Sequence, residues 1–215
     1  MRGFIFDCDG VLLDSIGAWH SLDAQLAADA GIVLTEQDRN TLNASTLGEA
    51  AQFFHEHYGV GNSVQEVHGR FMDYLLQYYR NEASEVPGAL AFVKALKAAG
   101  APMCVLSSSP LAFLQAGLAR VGFTDYIDTV LSVDELPFKK RDPQLYPHVC
   151  SLLGIGVENA WMFDDSKYAL ATADEAGVSC VGVFSANECG THEQLGLHAK
   201  LVVDSFVGLT VDQFL

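Results

Sequence analysis

The sequence predicts an α/β protein in which a parallel sheet carries helices on its faces and an all-helical segment is inserted after the first strand. Three observations carry this expectation. From Pro87 onward, short apolar runs alternate with helical patterns, the rhythm that parallel sheets with flanking helices produce. The run Phe4-Ile5-Phe6 has no partner nearby in the chain, so it joins those later strands. Between the two, residues 15–86 read as helical and contain nothing resembling a parallel strand.

Taken in order, the first strand stops at Asp7-Cys8-Asp9-Gly10. A short apolar run ending before a glycine is a buried strand entering a tight turn, which puts Asp7 and Asp9 at its carboxyl end. Ligands of open α/β sheets sit at that end. In the insertion, Val67, Phe71, Tyr74, Leu75 and Tyr78 fall on one helical face, and Gly31, Gly59 and Gly61 break the pattern. The later strands are expected over 103–106, 129–131, 160–163, 180–183 and 201–203. The sheet core therefore comprises residues 1–14 and 87–215, and the helical insertion residues 15–86.

Half of the 215 residues are apolar, enough for a sizeable core. Twelve basic against 27 acidic residues give a formal net charge of −15, which argues against a nucleic-acid or anionic-membrane surface. An anionic ligand therefore needs a locally positive site. The five cysteines (Cys8, Cys104, Cys150, Cys180 and Cys189) are odd in number and lack C-x-x-C spacing, so reduced thiols in a cytoplasm are expected. The apolar start meets Asp7 too soon to be a signal or membrane segment. The insertion holds ten acidic residues against Arg39, Arg70 and Arg80, and no lysine. A solvated acidic face explains most of that bias, although a helical module placed after a candidate active-site turn can also close over it.

Further candidates lie at the ends of apolar runs. The run 103–106 leads into Ser107-Ser108-Ser109-Pro110, where Ser109 is expected to cap the next helix and Pro110 to take its first position. Ser107 is then left to offer its hydroxyl, beside the N–H groups of the helix start, to an anion. Trp161-Met162-Phe163 leads into Asp164-Asp165-Ser166, a second acidic pair, readable also as a helix cap. Two acidic pairs at one sheet edge need a divalent ion, and carboxylate oxygens without His or Cys favour Mg²⁺. Between them stands Lys139-Lys140-Arg141; one lysine aimed at the carboxylates would supply positive charge for a phosphoryl group, the other cations being a solvated loop.

In their order, these motifs resemble those of the haloacid dehalogenase superfamily. Asp7, Asp9, Gly10 and Asp14 match its Asp-x-Asp-Gly-x-x-x-Asp, and Ser107 its second motif. Lys140, Pro143 and Tyr146 match the third with better spacing than Lys139 gives, and Asp164 with Asp165 matches the fourth. The insertion is similar to the helical cap of the subgroup containing phosphoglycolate phosphatase and beta-phosphoglucomutase. The resemblance implies a Rossmann-like core with an all-helical cap and a Mg²⁺-dependent phosphatase acting on a small phosphorylated metabolite. It implies Asp7 as nucleophile and Asp9 as general acid and base. Asp7, Asp9 (through its carbonyl), Asp164 and Asp165 would surround the metal, Ser107, Ser108 and Lys140 would hold phosphoryl oxygens, and Asp14 would orient the hinge. Substrate choice is expected from cap residues near the turn, Trp19, His20, Asn43, Ser45 and Thr46 among them, although Trp19 and His20 also suit plain packing. A monomer or weak homodimer is expected.

Some positions depart from the family pattern. Arg141 replaces a proline, Ala169 a glycine, and Leu47 stands where the sugar-phosphate mutase carries an arginine for the distal phosphate. A mutase is thus disfavoured but stays as an alternative, beside an idle binding protein of the same fold. Asp9 speaks against a dehalogenase, the lysine-free cap against a phosphonate hydrolase, and the lack of G-x-G-x-x-G after a strand against a nicotinamide enzyme.

Overall fold

The computed structural model describes residues 1–43, 45–185 and 191–215, with residues 40 and 43 described in their backbone alone. The chain begins with β1 (Gly3–Phe6), followed by helices α1 (Ile16–Asp29), α2 (Glu36–Asn43), α3 (Leu47–Tyr58) and α4 (Val64–Asn81). Next come α5 (Ala89–Ala98), β2 (Met103–Ser107), α6 (Leu111–Val121), β3 (Thr129–Ser132) and α7 (Leu145–Leu152). The remainder is β4 (Ala160–Asp164), α8 (Lys167–Glu175), β5 (Ser179–Val183), α9 (His192–Gly196) and β6 (Leu201–Val203). The strands form one sheet in the order β3-β2-β1-β4-β5-β6, and every neighbouring pair is parallel.

This is the Rossmann-like α/β architecture that the alternation of runs and helices predicts. Four of the later strands are one residue longer than their apolar runs. Polar residues at the ends keep the ladder register, with Ser107 opposite Ser132 and Asp164 opposite Gly182. Ser107 and Asp164 are therefore the last residues of their strands, positioned by sheet hydrogen bonding.

Alternation along the strands separates two packed faces. On one, Phe4, Phe6 and Phe163 meet Phe92 of α5 together with Phe206 and Phe214; the Phe6 and Phe163 ring centroids are 5.0 Å apart. On the other, Ile5 and Met162 pack with Leu145 and Val149 of α7 and Leu170 and Ala173 of α8. Each buried phenylalanine or leucine contributes about 1.5–3 kcal/mol, so the central strands are held rigidly from both sides.

The chain divides into two compact units, Met1–Ile16 with Ala83–Leu215, and Gly17–Glu82. The outgoing and returning segments pair with each other: Asp14 N–H donates to the Ser84 carbonyl and Val86 N–H to that of Leu12, both at 3.0 Å. These pairings put residues 15–16 and 83–86 with the sheet rather than with the helical unit. Within the helical unit, α4 buries Val67, Phe71, Leu75 and Tyr79. The buried seam thus steps at four-residue spacing and takes Tyr79 where the sequence pattern suggested Tyr78; Tyr74 and Tyr78 are half-buried beside it. Trp19 Nε1 donates to Tyr79 Oη at 2.9 Å, joining α1 to α4. Gly59 ends α3 at a φ of 67°, a left-handed cap that favours glycine.

Among the described residues no helix is long and apolar enough to cross a membrane. Cys8, Cys104, Cys150 and Cys180 are buried free thiols, and Cys189 lies outside the described residues.

Candidate active site

The strand order reverses direction between β1 and β4, and the carboxyl ends of these neighbours form the crevice that such sheets use for ligands. Asp7 follows β1 and is held to β4 by its N–H, which donates to the Phe163 carbonyl at 2.9 Å. Asp164 is the last residue of β4 and is fully buried. Asp165 comes next, and the carboxylates of Asp7, Asp164 and Asp165 each offer an oxygen within 4.8 Å of the others.

Lys140 enters this cluster. Its side chain is 5% exposed, with Nζ 2.9 Å from Asp164 Oδ2 and 3.0 Å from Asp7 Oδ1. Burial works against the ammonium charge, but Asp164 and Asp7 outweigh it and hold the Lys140 pKa well above its ordinary value. Burial pushes the Asp164 carboxyl up to about 6, with Lys140 opposing and Asp7 adding repulsion. The ion pairing keeps Asp164 charged beside the lysine. The Tyr146 hydroxyl lies 3.2 Å from the Lys140 carbonyl and 3.1 Å from that of Ala169, sharing its proton between them. The motif tyrosine therefore fixes the loop that carries the lysine. Lys139 points elsewhere, to Asp134 at 3.2 Å, and Arg141 stacks on the Tyr168 ring at 4.3 Å.

Gly10 is required twice over. Its φ of +74° suits the turn, and a Cβ built there would meet Asp165 Oδ2 at 2.5 Å. The turn closes on itself through the N–H groups of Leu12 and Leu13, which donate to the Cys8 carbonyl at 2.9 and 2.8 Å. The Cys8 thiol is inert, its pKa raised by burial and by Asp9 and Asp7.

Asp9 differs from the expectation of up to four clustered carboxylates. Its Oδ1 accepts a short hydrogen bond from Ser15 Oγ, and its Oδ2 accepts one from Ser109 Oγ at 2.5 Å. The acidic group gathered for a cation is thus a trio, with the Asp9 carboxylate tied to hydroxyls. Ser109 also departs from its expected cap role: α6 starts after Pro110, which occupies the cap position with no side-chain capping bond. Instead Ser109 N–H donates to Ser107 Oγ at 3.1 Å, and its carbonyl accepts from Ser132 Oγ at 2.9 Å. Ser107 is buried at the end of β2, Ser108 is exposed, and the exposed Asp14 enters the turn through its backbone.

In the helical unit the proposed selectivity residues have local partners. Ser45 Oγ donates to the Thr41 carbonyl at 2.8 Å, and Thr46 caps α3 in a reciprocal box with Glu49. Trp19 is engaged with Tyr79, His20 is exposed, and the Asn43 side chain lies outside the described residues. Sequence reasoning missed Ser15, Ser109 and Ser132 as the surroundings of Asp9; the letters Ser-Ser-Ser-Pro signalled only a helix start.

The trio suits a hard divalent cation. Three carboxylates against one ammonium leave a formal excess of two negative charges, and buried Asp7 Oδ1 has only the Lys140 ammonium, at 3.0 Å, as a polar partner among the described residues. An oxygen-only donor set of this charge matches the Mg²⁺ class of ions rather than a soft metal.

Known proteins share this framework. A phosphoglycolate phosphatase from Rhodospirillum rubrum is 31% identical, the match covering 84% of this chain and 78% of that protein. A validoxylamine A 7'-phosphate phosphatase from Streptomyces hygroscopicus subsp. limoneus is 26% identical over 86% of each. Among solved structures, a Thermotoga maritima protein provisionally named a beta-phosphoglucomutase has the same fold, with a TM-score of 0.82, 23% identity and 94% of each chain covered. Residues 1–177, which include Asp7, Asp9, Lys140, Asp164 and Asp165, match the sequence profile of the haloacid dehalogenase-like hydrolases, and the chain belongs to that family.

Proposed function

We propose that this hydrolase cleaves small phosphate monoesters through a covalent intermediate on Asp7, with Mg²⁺ as cofactor. The observation that carries the reading is the buried meeting of Asp7, Asp164 and Asp165 with Lys140 at the reversal point of the sheet. The names of the relatives, which include phosphoglycolate, 6-phosphogluconate and hexitol phosphatases, support the same substrate class. Asp7, Asp164, Asp165 and the Asp9 carbonyl would hold the ion, which masks phosphate charge and so lets an anionic nucleophile approach.

A carboxylate oxygen of Asp7 attacks phosphorus, and the bond from phosphorus to the ester oxygen breaks. Asp9 gives its proton to the departing alkoxide, releasing an alcohol. Water then attacks the phosphorus of the aspartyl-phosphate, Asp9 takes a proton from it, and the bond to Asp7 breaks to release inorganic phosphate. Lys140 and Ser107 stabilise charge on the non-bridging oxygens as it spreads in the transition state. Selectivity among esters belongs to the helical unit in this reading, with Trp19, Asn43, Ser45 and Thr46 as the positions to vary.

The test is phosphate release from a panel of sugar phosphates, nucleotides and phosphoglycolate by wild type and Asp7→Asn, with and without EDTA. Wild type is expected to turn over at least one ester with Mg²⁺ and to stop on chelation, while Asp7→Asn stays folded and inactive. Equal release by both proteins, or none by wild type on any ester, refutes the reading.

A further inference from the structure

We propose that Ser109 is a positioning residue for Asp9, holding the proton-transfer carboxyl from the side opposite Ser15; this rests on the reading of Asp9 as general acid and base. Ser109 is itself firmly placed. Its N–H donates to Ser107 Oγ at 3.1 Å, and its carbonyl accepts from Ser132 Oγ at 2.9 Å, so neighbouring strand ends fix its backbone. All three serines are buried. From that seat Ser109 Oγ reaches Asp9 Oδ2 at 2.5 Å, while Ser15 takes Oδ1.

Two features separate this from incidental packing. A serine just before a helix and a proline is a ready-made cap, yet α6 has no side-chain cap and the hydroxyl is committed to a residue 100 positions away. The chemistry of a hydroxyl also suits the task. Serine donates to a carboxylate, and a protonated carboxyl keeps acceptor capacity, so the contact persists in both protonation states of Asp9 and leaves the acid proton for the leaving group. The contact thus restrains the orientation of Asp9 without favouring one half of the catalytic cycle through geometry alone.

A misdirected general acid matters only where the leaving group needs its proton. Alkoxide departure from glycerol 2-phosphate requires protonation, whereas p-nitrophenolate leaves as a stable anion. Because kcat/KM ends at cleavage of the ester bond, the later attack of water does not enter it. In Ser109→Ala the ratio of kcat/KM for glycerol 2-phosphate to that for p-nitrophenyl phosphate is expected to fall about tenfold or more. A purely structural role lowers both values alike and preserves the ratio. The second measurement is a crystal structure of Ser109→Ala, in which the Asp9 carboxyl is expected to turn from its wild-type orientation while α6 stays in place. An unchanged ratio, or an Asp9 carboxyl superimposing on the wild type, overturns the assignment. If wild type cleaves neither these esters nor the wider panel, the hydrolytic reading fails by itself, and the crystal structure still decides the positioning.

Discussion

Lys139 and Lys140 are adjacent, carry the same charge and sit in opposite surroundings, which makes them a controlled pair. Replacing either by methionine makes the formal net charge one unit more negative than −15, so changes in overall repulsion are matched. Lys139 meets Asp134 at 3.2 Å with the two side chains 65% and 72% exposed, and such pairs contribute only about 0–1 kcal/mol. Lys140 lies 2.9 and 3.0 Å from two buried carboxylates. At an effective dielectric constant of about 20, each contact carries roughly 5–6 kcal/mol of Coulomb attraction, much of it offset by desolvation of the charges. Removing one partner of a buried pair typically costs about 3–5 kcal/mol, because the abandoned charge stays buried. Lys140→Met is therefore expected to lose that much. With a urea slope of about 2–3 kcal/mol/M, its unfolding midpoint falls by about 1–2.5 M. The measurement belongs in chelator, so that no divalent cation takes over the neutralisation. A Trp19→Phe background leaves Trp161 on β4 as the reporter of the sheet unit. A Lys140→Met midpoint within about 0.5 M of Lys139→Met would refute the claim that Lys140 neutralises the cluster.

Two more expectations follow from the same geometry and from the helical unit. Gly10→Ala places a methyl group 2.5 Å from Asp165 Oδ2 at a φ of +74°. The backbone alone costs about 1–2 kcal/mol, and displacing Asp165 should cut turnover about tenfold or more; wild-type melting temperature and kcat together would contradict this. In the helical unit, hydrogen bonds from Tyr58 and Thr35 hold Asp38 at a pKa of about 2 against an ordinary 3.8. Because the folded value is the lower one, its stabilisation is fully present above about pH 4 and fades as the pH falls towards 2. The stability gap between wild type and Asp38→Asn in urea titrations should close over that window, and a gap independent of pH from 7 to 2.5 would count against it.

The fold was legible because burial writes a strong pattern. Parallel strands covered on both faces become uninterrupted apolar runs, and the five later runs match β2 to β6 to within a residue. The charged ends of those runs were legible for the same reason, since a carboxylate terminating a buried strand interrupts the pattern abruptly. What periodicity does not encode is direction within a loop. Three consecutive cations read alike in the sequence; Lys140 is the one carried inward, on a backbone anchored by Tyr146 six residues on. Motif spacing held that information, whereas composition did not.

Ser109 shows the opposite limit. Helix capping is a local interaction, so Ser-Pro ahead of an apolar helix predicts a cap whenever only neighbouring residues are considered. The partners that decide otherwise are Asp9 and Ser132, 100 and 23 residues distant, brought together because β2 stands between β1 and β3. Ser15 is similar at shorter range, since the chain after Gly10 must turn back before its hydroxyl meets Asp9. A polar residue at a sheet edge thus has two claims on its hydrogen bond, one local and one set by strand order. At Ser109 the distant claim has prevailed, and α6 begins without a side-chain cap.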